Sequence, residues 1–458
     1  MLPRNVLESR GGRLLAFSLL YLTEGIPFGF SAIALTTYLR QAGVGLTEIG
    51  LFTGSLYAPW AFKPLWAPIV DLVRVRRFGA RRFWIAGAQM MMILTLALVM
   101  FVDPGADLRL LTLLIMIHNV FAATQDIAID ALAVQVLPEK ERGVANGFMF
   151  AASYLGQAIG GSGALFLAGA LGFRATYPFI LGMLALILFL VTLRLREPVL
   201  PEAAARVAEG TRAVLAAIGL RLKNYGRDLY RGFFRSGPGP LVGVLFGLAP
   251  NGALALGLAL GSTMMVDLGM DEDQIARLNI WATIAAALGC VVGGWVSDRL
   301  GHRKMLAVWY VATTLPTFWL AGQITGTGLE GVTVGEYAWA AIAYAFTSGL
   351  IAGTAIAVFM GLTSPLVAAT QFSGYMALRN FVYTYSSTWQ GRFADLHGYA
   401  QTMHLDAWIA FLPLVALPFL RPSTRSGAGV AGAVDTAAPE EAADPGAAEE
   451  TPGDQGGL

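Results

Sequence analysis

The chain has 458 residues, 56% of them hydrophobic and 13% charged, with a formal charge of +1. Soluble folds carry about 25% charged residues, so too little polar surface is left for a water-soluble body of this size, and a near-neutral chain has no field for nucleic-acid phosphate. Cys290 is the single cysteine, which excludes a disulfide scaffold, and 54 glycines with 10 tryptophans suit membrane helices that pack closely and anchor at the interface.

The apolar stretch after Arg13 continues to about residue 38. That exceeds the roughly 7–15-residue core of a cleaved signal, and no small-residue cleavage site follows, so the stretch is read as a first span. A helix needs about 20 apolar residues to cross the hydrocarbon. Windows of that kind fall at 14–39, 48–72, 83–102, 110–137, 144–171 and 175–195, then at 240–266, 274–298, 305–324, 336–361, 370–394 and 406–420. The reading is an all-α polytopic membrane protein with 12 transmembrane helices in two six-helix pseudo-repeats. Residues 1–195 form the N-terminal bundle, 196–237 a cytoplasmic linker, 238–420 the C-terminal bundle and 421–458 a disordered acidic tail. In the linker, Leu215, Ile218, Leu222, Leu229 and Phe233 alternate with Arg221, Lys223, Arg227 and Arg231. That pattern fits either an amphipathic helix on an anionic membrane surface or a tether with some helicity.

Orientation follows from Lys and Arg, which are retained in cytoplasmic loops. With the N-terminus inside, 24 of the 31 basic residues fall in internal segments, and the acidic run 266–274 falls outside. Both termini are therefore expected in the cytoplasm, in a bacterial inner membrane. Lys63 and Arg379 lie within spans and need another explanation.

Two segments that leave even-numbered spans echo one another, Pro64–Arg82 after the second and Gly293–Lys304 after the eighth. Gly294, Asp298, Arg299, Gly301, Arg303 and Lys304 follow the G-x-x-x-D-R-x-G-[RK]-[RK] loop, with His302 interposed after Gly301, and so resemble the major facilitator superfamily; Asp71 marks the stretched first-half copy. Retention of basic residues accounts for the arginines but not for the Gly and Asp. An Asp can rest against a neighbouring helix's N-terminal dipole while the Gly lets helices approach, which makes a latch. Six-helix repeats with a ligand site between them are how such transporters alternate access.

A narrower similarity lies in FKPLWAPIVD (Phe62–Asp71), FGARRFW (Phe78–Trp84), ATQDIAIDALAVQVLPEKERGVA (Ala123–Ala145) and AATQFSGYMALRN (Ala368–Asn380). These resemble the AmpG family of permeases. The resemblance implies a proton-driven importer of anhydro-muropeptides for cell-wall recycling, with siderophore and acetyl-CoA carriers among relatives. The chain departs from the family in its seventh span, where Leu245–Met265 offers only Asn251, Ser262 and Thr263 as polar side chains. That departure weakens the substrate assignment more than the family assignment.

A charge in the hydrocarbon centre costs at least roughly 2.5–3.5 kcal/mol. At about 1.5 Å per residue, Glu24, Lys63, Asp126, Asp130 and Arg379 are expected near one depth, with Asp126 and Asp130 on one helix face. Three carboxylates against two cations leave one negative charge in excess, so one carboxyl is expected to hold a proton. Asp126 is the preferred proton-coupling residue and Glu24 the second. Lys63, Gln125, Asp130 and Arg379 are the substrate-binding candidates, with Lys63 paired to Asp130 and Arg379 left for a substrate carboxylate or phosphate. A fixed ion-pair cluster that only holds helices together is the competing reading. His118 reads as a helix contact, and no spacing among the four histidines suggests a metal.

Tyr21, Trp60, Trp66, Tyr154, Tyr375 and Trp389 could stack on sugar rings, although membrane aromatics more often pack or anchor. The Gly-rich run Gln157–Leu165 lacks the ending of a phosphate loop and reads as helix packing. The expected partners are a small-molecule substrate, protons and the lipid bilayer, with no nucleic acid and no cofactor beyond the proton gradient. A monomer that is not an enzyme is expected. The alternative from another class, a membrane-embedded transferase, lacks a nucleophile–base pair, metal spacing or phosphate motif.

Overall fold

A computed structural model describes residues 6–73, 79, 81–104, 106–197, 211–235, 238–363 and 368–420. Among these the fold is all-helical. In chain order the helices are α1 (Arg10–Gln41), α2 (Leu46–Phe62), α3 (Ala67–Leu72), α4 (Arg82–Val99), α5 (Leu108–Val136), α6 (Val144–Leu171), α7 (Phe173–Arg194), α8 (Thr211–Phe234), α9 (Pro238–Leu248), α10 (Ala259–Asp267), α11 (Glu272–Leu300), α12 (His302–Thr327), α13 (Val334–Leu362), α14 (Ala368–Ile409) and α15 (Leu412–Ala416). Polar residues start them: Asp107 accepts from the Leu110 N–H, and Asp271–Gln274 and Thr333–Glu336 form capping boxes.

Nine of the described helical runs are long and apolar enough to cross a membrane. The remaining expected spans are irregular for physical reasons. The second window is a 17-residue helix that gives way to a 3-10 turn at Lys63–Leu65, where Pro64 brings no N–H and its ring crowds the carbonyl four residues back. The seventh is broken between α9 and α10 around Pro250, Asn251 and Gly252, with Gly252 at φ +93°. The last two share the run α14, which turns at Gly398, where φ +80° favours glycine.

Glycines set the closest helix approaches. Gly25 and Gly29 of α1 face Gly156 and Gly160 of α6, and a Cβ on Gly160 meets the Ile26 carbonyl oxygen at 1.8 Å. Gly289 and Gly293 of α11 face Gly349 and Gly353 of α13 in the same way. Between the chain's halves, Gly50 of α2 lies against Gly391 of α14. Without a hydrophobic drive between helices in lipid, such backbone contact supplies much of the association.

Within the linker, Thr211–Phe234 is a helix packed on neighbouring helices. In α8, Leu229 and Phe233 pack on Gly374, Phe233 meets Tyr375 edge-on, and the Gln371 amide donates to the Gly232 carbonyl at 2.6 Å. The acidic tail lies outside the described residues.

Candidate functional site

Four of the five expected charges meet. Helix α1 places Glu24 in the interior, 8% exposed. Helix α5 brings Asp126 and Asp130 to the same face, and the 3-10 turn after α2 delivers Lys63. The Lys63 ammonium is hydrogen-bonded to the Asp126 carboxylate, with side chains 28% and 9% exposed. The Tyr21 hydroxyl donates to Asp130 Oδ1 at 2.5 Å. Glu24 lies within electrostatic reach of Asp126, Asp130 and Lys63, yet its Oε1 is buried with no hydrogen-bond partner. Three carboxylates thus face one ammonium. Asp130, unlike Glu24 and Asp126, is exposed at the surface of the helix bundle.

Several expectations need correction. Lys63 pairs with Asp126 and not Asp130, because the helical rise of about 1.5 Å per residue does not hold through the 3-10 turn that carries it. Gln125 does not face a cavity: it is fully buried and its amide donates to Thr23 Oγ1 at 2.9 Å, tying α5 to α1. Arg379 does not join the other four. It lies within electrostatic reach of Tyr154 and Tyr310, and its Nε is buried without a partner. His118 is a helix contact, its Nδ1 3.0 Å from the Met92 carbonyl oxygen and 3.2 Å from Thr95 Oγ1.

In the second-half loop, Gly301 ends α11 at φ +98°. Asp298 is exposed and bonds His302, the first residue of α12, at 2.9 Å. Arg299 lies over the Trp295 ring at 3.8 Å. The closest approach in this stretch belongs to Gly293 and not Gly294: a Cβ on Gly293 meets the Leu350 carbonyl oxygen at 2.4 Å, against 3.7 Å from Gly294 to Gly353. Arg303 and Lys304 line a cavity of about 550 Å³ with Leu300, Val358 and Gly361. The side chain of Asp71 lies outside the described residues.

Sequence reasoning missed two sets of residues. Asp406, at the edge of the last window, is fully buried; it accepts from the Leu254 and Ala255 N–H groups at 2.7 and 3.0 Å and from the Gln390 amide at 2.7 Å. The second set closes the end where α1 meets α2 and α10 meets α11. Arg40 grips Asp267 with two hydrogen bonds of 2.7 and 2.6 Å, and Tyr399 donates to Asp267 at 2.7 Å. Asp395 accepts from the Leu46 and Thr47 N–H groups of α2 at 3.1 and 2.6 Å.

The profile of the Major Facilitator Superfamily matches residues 15–388. The anhydromuropeptide permease of Escherichia coli K12 is 27% identical over 403 residues, 86% of this chain and 77% of that protein. The putative transporter AmpG 4 of Rickettsia conorii is 23% identical over 419 residues, 89% of this chain and 95% of that protein. Among solved structures, the inward-open xylose transporter XylE of E. coli superposes with a TM-score of 0.65 at 12% identity, over 90% of this chain and 98% of that one. The nucleoside transporter NupG gives 0.61 at 15% identity, over 89% and 99%.

Proposed function

The chain belongs to the major facilitator superfamily as a multi-pass secondary transporter, not an enzyme, and we propose that it imports anhydro-muropeptides into the bacterial cytoplasm in symport with protons. The similarity to the anhydromuropeptide permease supports the substrate. The observation that carries the coupling is the Glu24–Asp126–Lys63–Asp130 cluster, in which Glu24 is buried without a hydrogen-bond partner.

Lys63 offsets one of three carboxylates, so two negative charges stand in excess where uncompensated charge is expensive. A proton on Glu24 removes one of them, and Asp130 keeps its hydrogen bond from Tyr21. Glu24 therefore takes precedence over Asp126 as carrier, since Asp126 already has the ammonium. Lys63 can leave Asp126 for an anionic group on the substrate, and the charge that appears on Asp126 then favours proton uptake at Glu24. Binding of the two cargoes is linked in this way, and each biases the equilibrium between outward-open and inward-open states.

Two six-helix bundles, residues 1–195 and 238–420, rock about the site, with both termini in the cytoplasm and the monomer as the working unit. The test is uptake of labelled anhydro-muropeptide into proteoliposomes with the outside acidic, with no gradient, and with a protonophore. Accumulation only under the gradient is expected. Equal uptake in all three overturns the coupling, and no uptake in any overturns the substrate.

A further inference from the structure

Arg379 stands in the first third of α14 with its Nε buried, and it makes no ion pair or hydrogen bond among the described residues. Polar and aromatic side chains lie within its electrostatic reach or on its helix face. Tyr310, within its electrostatic reach, donates to Asn251 Oδ1 at 3.4 Å, and the Nδ2 of Asn251, a residue 5% exposed, has no acceptor. Tyr383 follows Arg379 by one helical turn and so shares its face. The Tyr383 ring meets Tyr57 from the other half of the chain at 5.1 Å, and Tyr154, 47% exposed, reaches both Arg379 and Tyr383. Among the described residues no carboxylate pairs with Arg379: Glu24 senses Asp126, Asp130 and Lys63, while Asp406, bonded to Leu254 beside Tyr57 and Tyr383, is held by Leu254, Ala255 and Gln390.

We propose that Arg379 is the centre of an anion subsite for an acidic sugar, with its guanidinium on the carboxylate or phosphate, Asn251 donating to a neighbouring acceptor, and Tyr57, Tyr154 and Tyr383 packed against the ring. This rests on the reading of the chain as an importer of a bulky anionic solute and assigns which part of that solute meets the second half. The guanidinium is planar and presents a fork of donors that matches an oxyanion at two points. Tyrosine offers an apolar face with a polar tip, which suits a pyranose whose C–H face is apolar and whose edge is hydroxylated. Lys63, the one cation of the first-half cluster, is paired with Asp126, whereas Arg379 has no such partner among the described residues and is free to take the anionic group of the sugar.

The test is equilibrium binding by calorimetry to the purified full chain in micelles, with N-acetylmuramate, N-acetylglucosamine 6-phosphate and neutral N-acetylglucosamine as probes. At least one acidic sugar is expected to bind about tenfold or more tighter than the neutral one, the size of a charge-assisted two-point contact, and whichever acid binds tighter identifies the anion. Arg379→Gln is expected to erase that preference and Arg379→Lys to keep part of it. If the wild-type protein binds acidic and neutral sugars alike, or if R379Q retains the preference, the subsite is overturned. The wild-type comparison decides the matter even if R379Q does not fold. Preference for the acids without uptake of anhydro-muropeptide into proteoliposomes leaves the subsite standing and overturns the proposed cargo instead.

Discussion

Arg40 and Asp267 end helices from opposite halves of the chain, and their side chains close on one another through two hydrogen bonds of 2.7 and 2.6 Å. Beside them Asp395 of α14 caps the N-terminus of α2, and a Cβ on Gly391, one turn before Asp395, meets the Leu46 carbonyl oxygen at 2.3 Å. The polar pair and the glycine seam together join the two halves of the chain at this end. Opening must break charge-assisted bonds worth about 1.5–3 kcal/mol apiece. The Asp267→Asn, Asp395→Ala double variant is therefore expected to raise the population open at this end by about tenfold or more. The measurement uses a cysteine placed at Tyr57 in a Cys290→Ala background and a membrane-impermeant maleimide on the outer side. Unchanged labelling means that these contacts do not hold the gate.

Glu24 differs from its neighbours in having no cation and no hydrogen bond to Oε1. Glu24→Gln keeps the shape and imitates the protonated side chain permanently. The expected phenotype is split: exchange of labelled for unlabelled substrate survives within about threefold, since binding persists, while accumulation driven by a pH gradient is lost because no proton is released. A variant that still accumulates substrate under the gradient shows that the proton travels elsewhere in the cluster.

The helices and the identity of the buried charges are legible in the sequence, because an ionisable residue in a long apolar window is conspicuous whatever its neighbours are. Partnership is harder to read. Lys63 and Asp130 looked matched in depth, yet one proline after Lys63 changes the rise of the chain and delivers the ammonium to Asp126. Gln125 sits next to Asp126 in sequence but points some 100° around the helix, toward Thr23. Asp406 was passed over as the polar edge of a window. Its role depends on a break in a span more than 140 residues earlier, a relationship with no local signal.

Lys63 and Asp126 form the cluster's one ion pair among the described residues. Removing the cation by Lys63→Met leaves three carboxylates facing each other, and breaking a buried pair costs about 3–5 kcal/mol. With the lysine side chain 28% exposed, the loss should fall below that range, at about 1–3 kcal/mol. The Lys63→Met, Asp126→Asn double variant should recover most of it. Thermal unfolding midpoints in micelles read this directly; a K63M protein as stable as wild type shows that the excess charge is already neutralised by other means.

Asp406 joins the broken seventh span to the last one. Its carboxylate accepts from the Leu254 and Ala255 N–H groups, which the break leaves without helical partners, and from Gln390. All three donors lie in the interior, and an orphaned buried donor costs about 1–3 kcal/mol. Asp406→Ala is therefore expected to lower stability by several kcal/mol in total and to speed amide exchange at residues 254–258 before other parts of the fold. Asp406→Asn retains one acceptor oxygen but turns an NH₂ toward a donor, so it should fall between alanine and wild type. If the alanine variant unfolds without earlier exchange at 254–258, the break is held by packing against Val382 and not by the carboxylate.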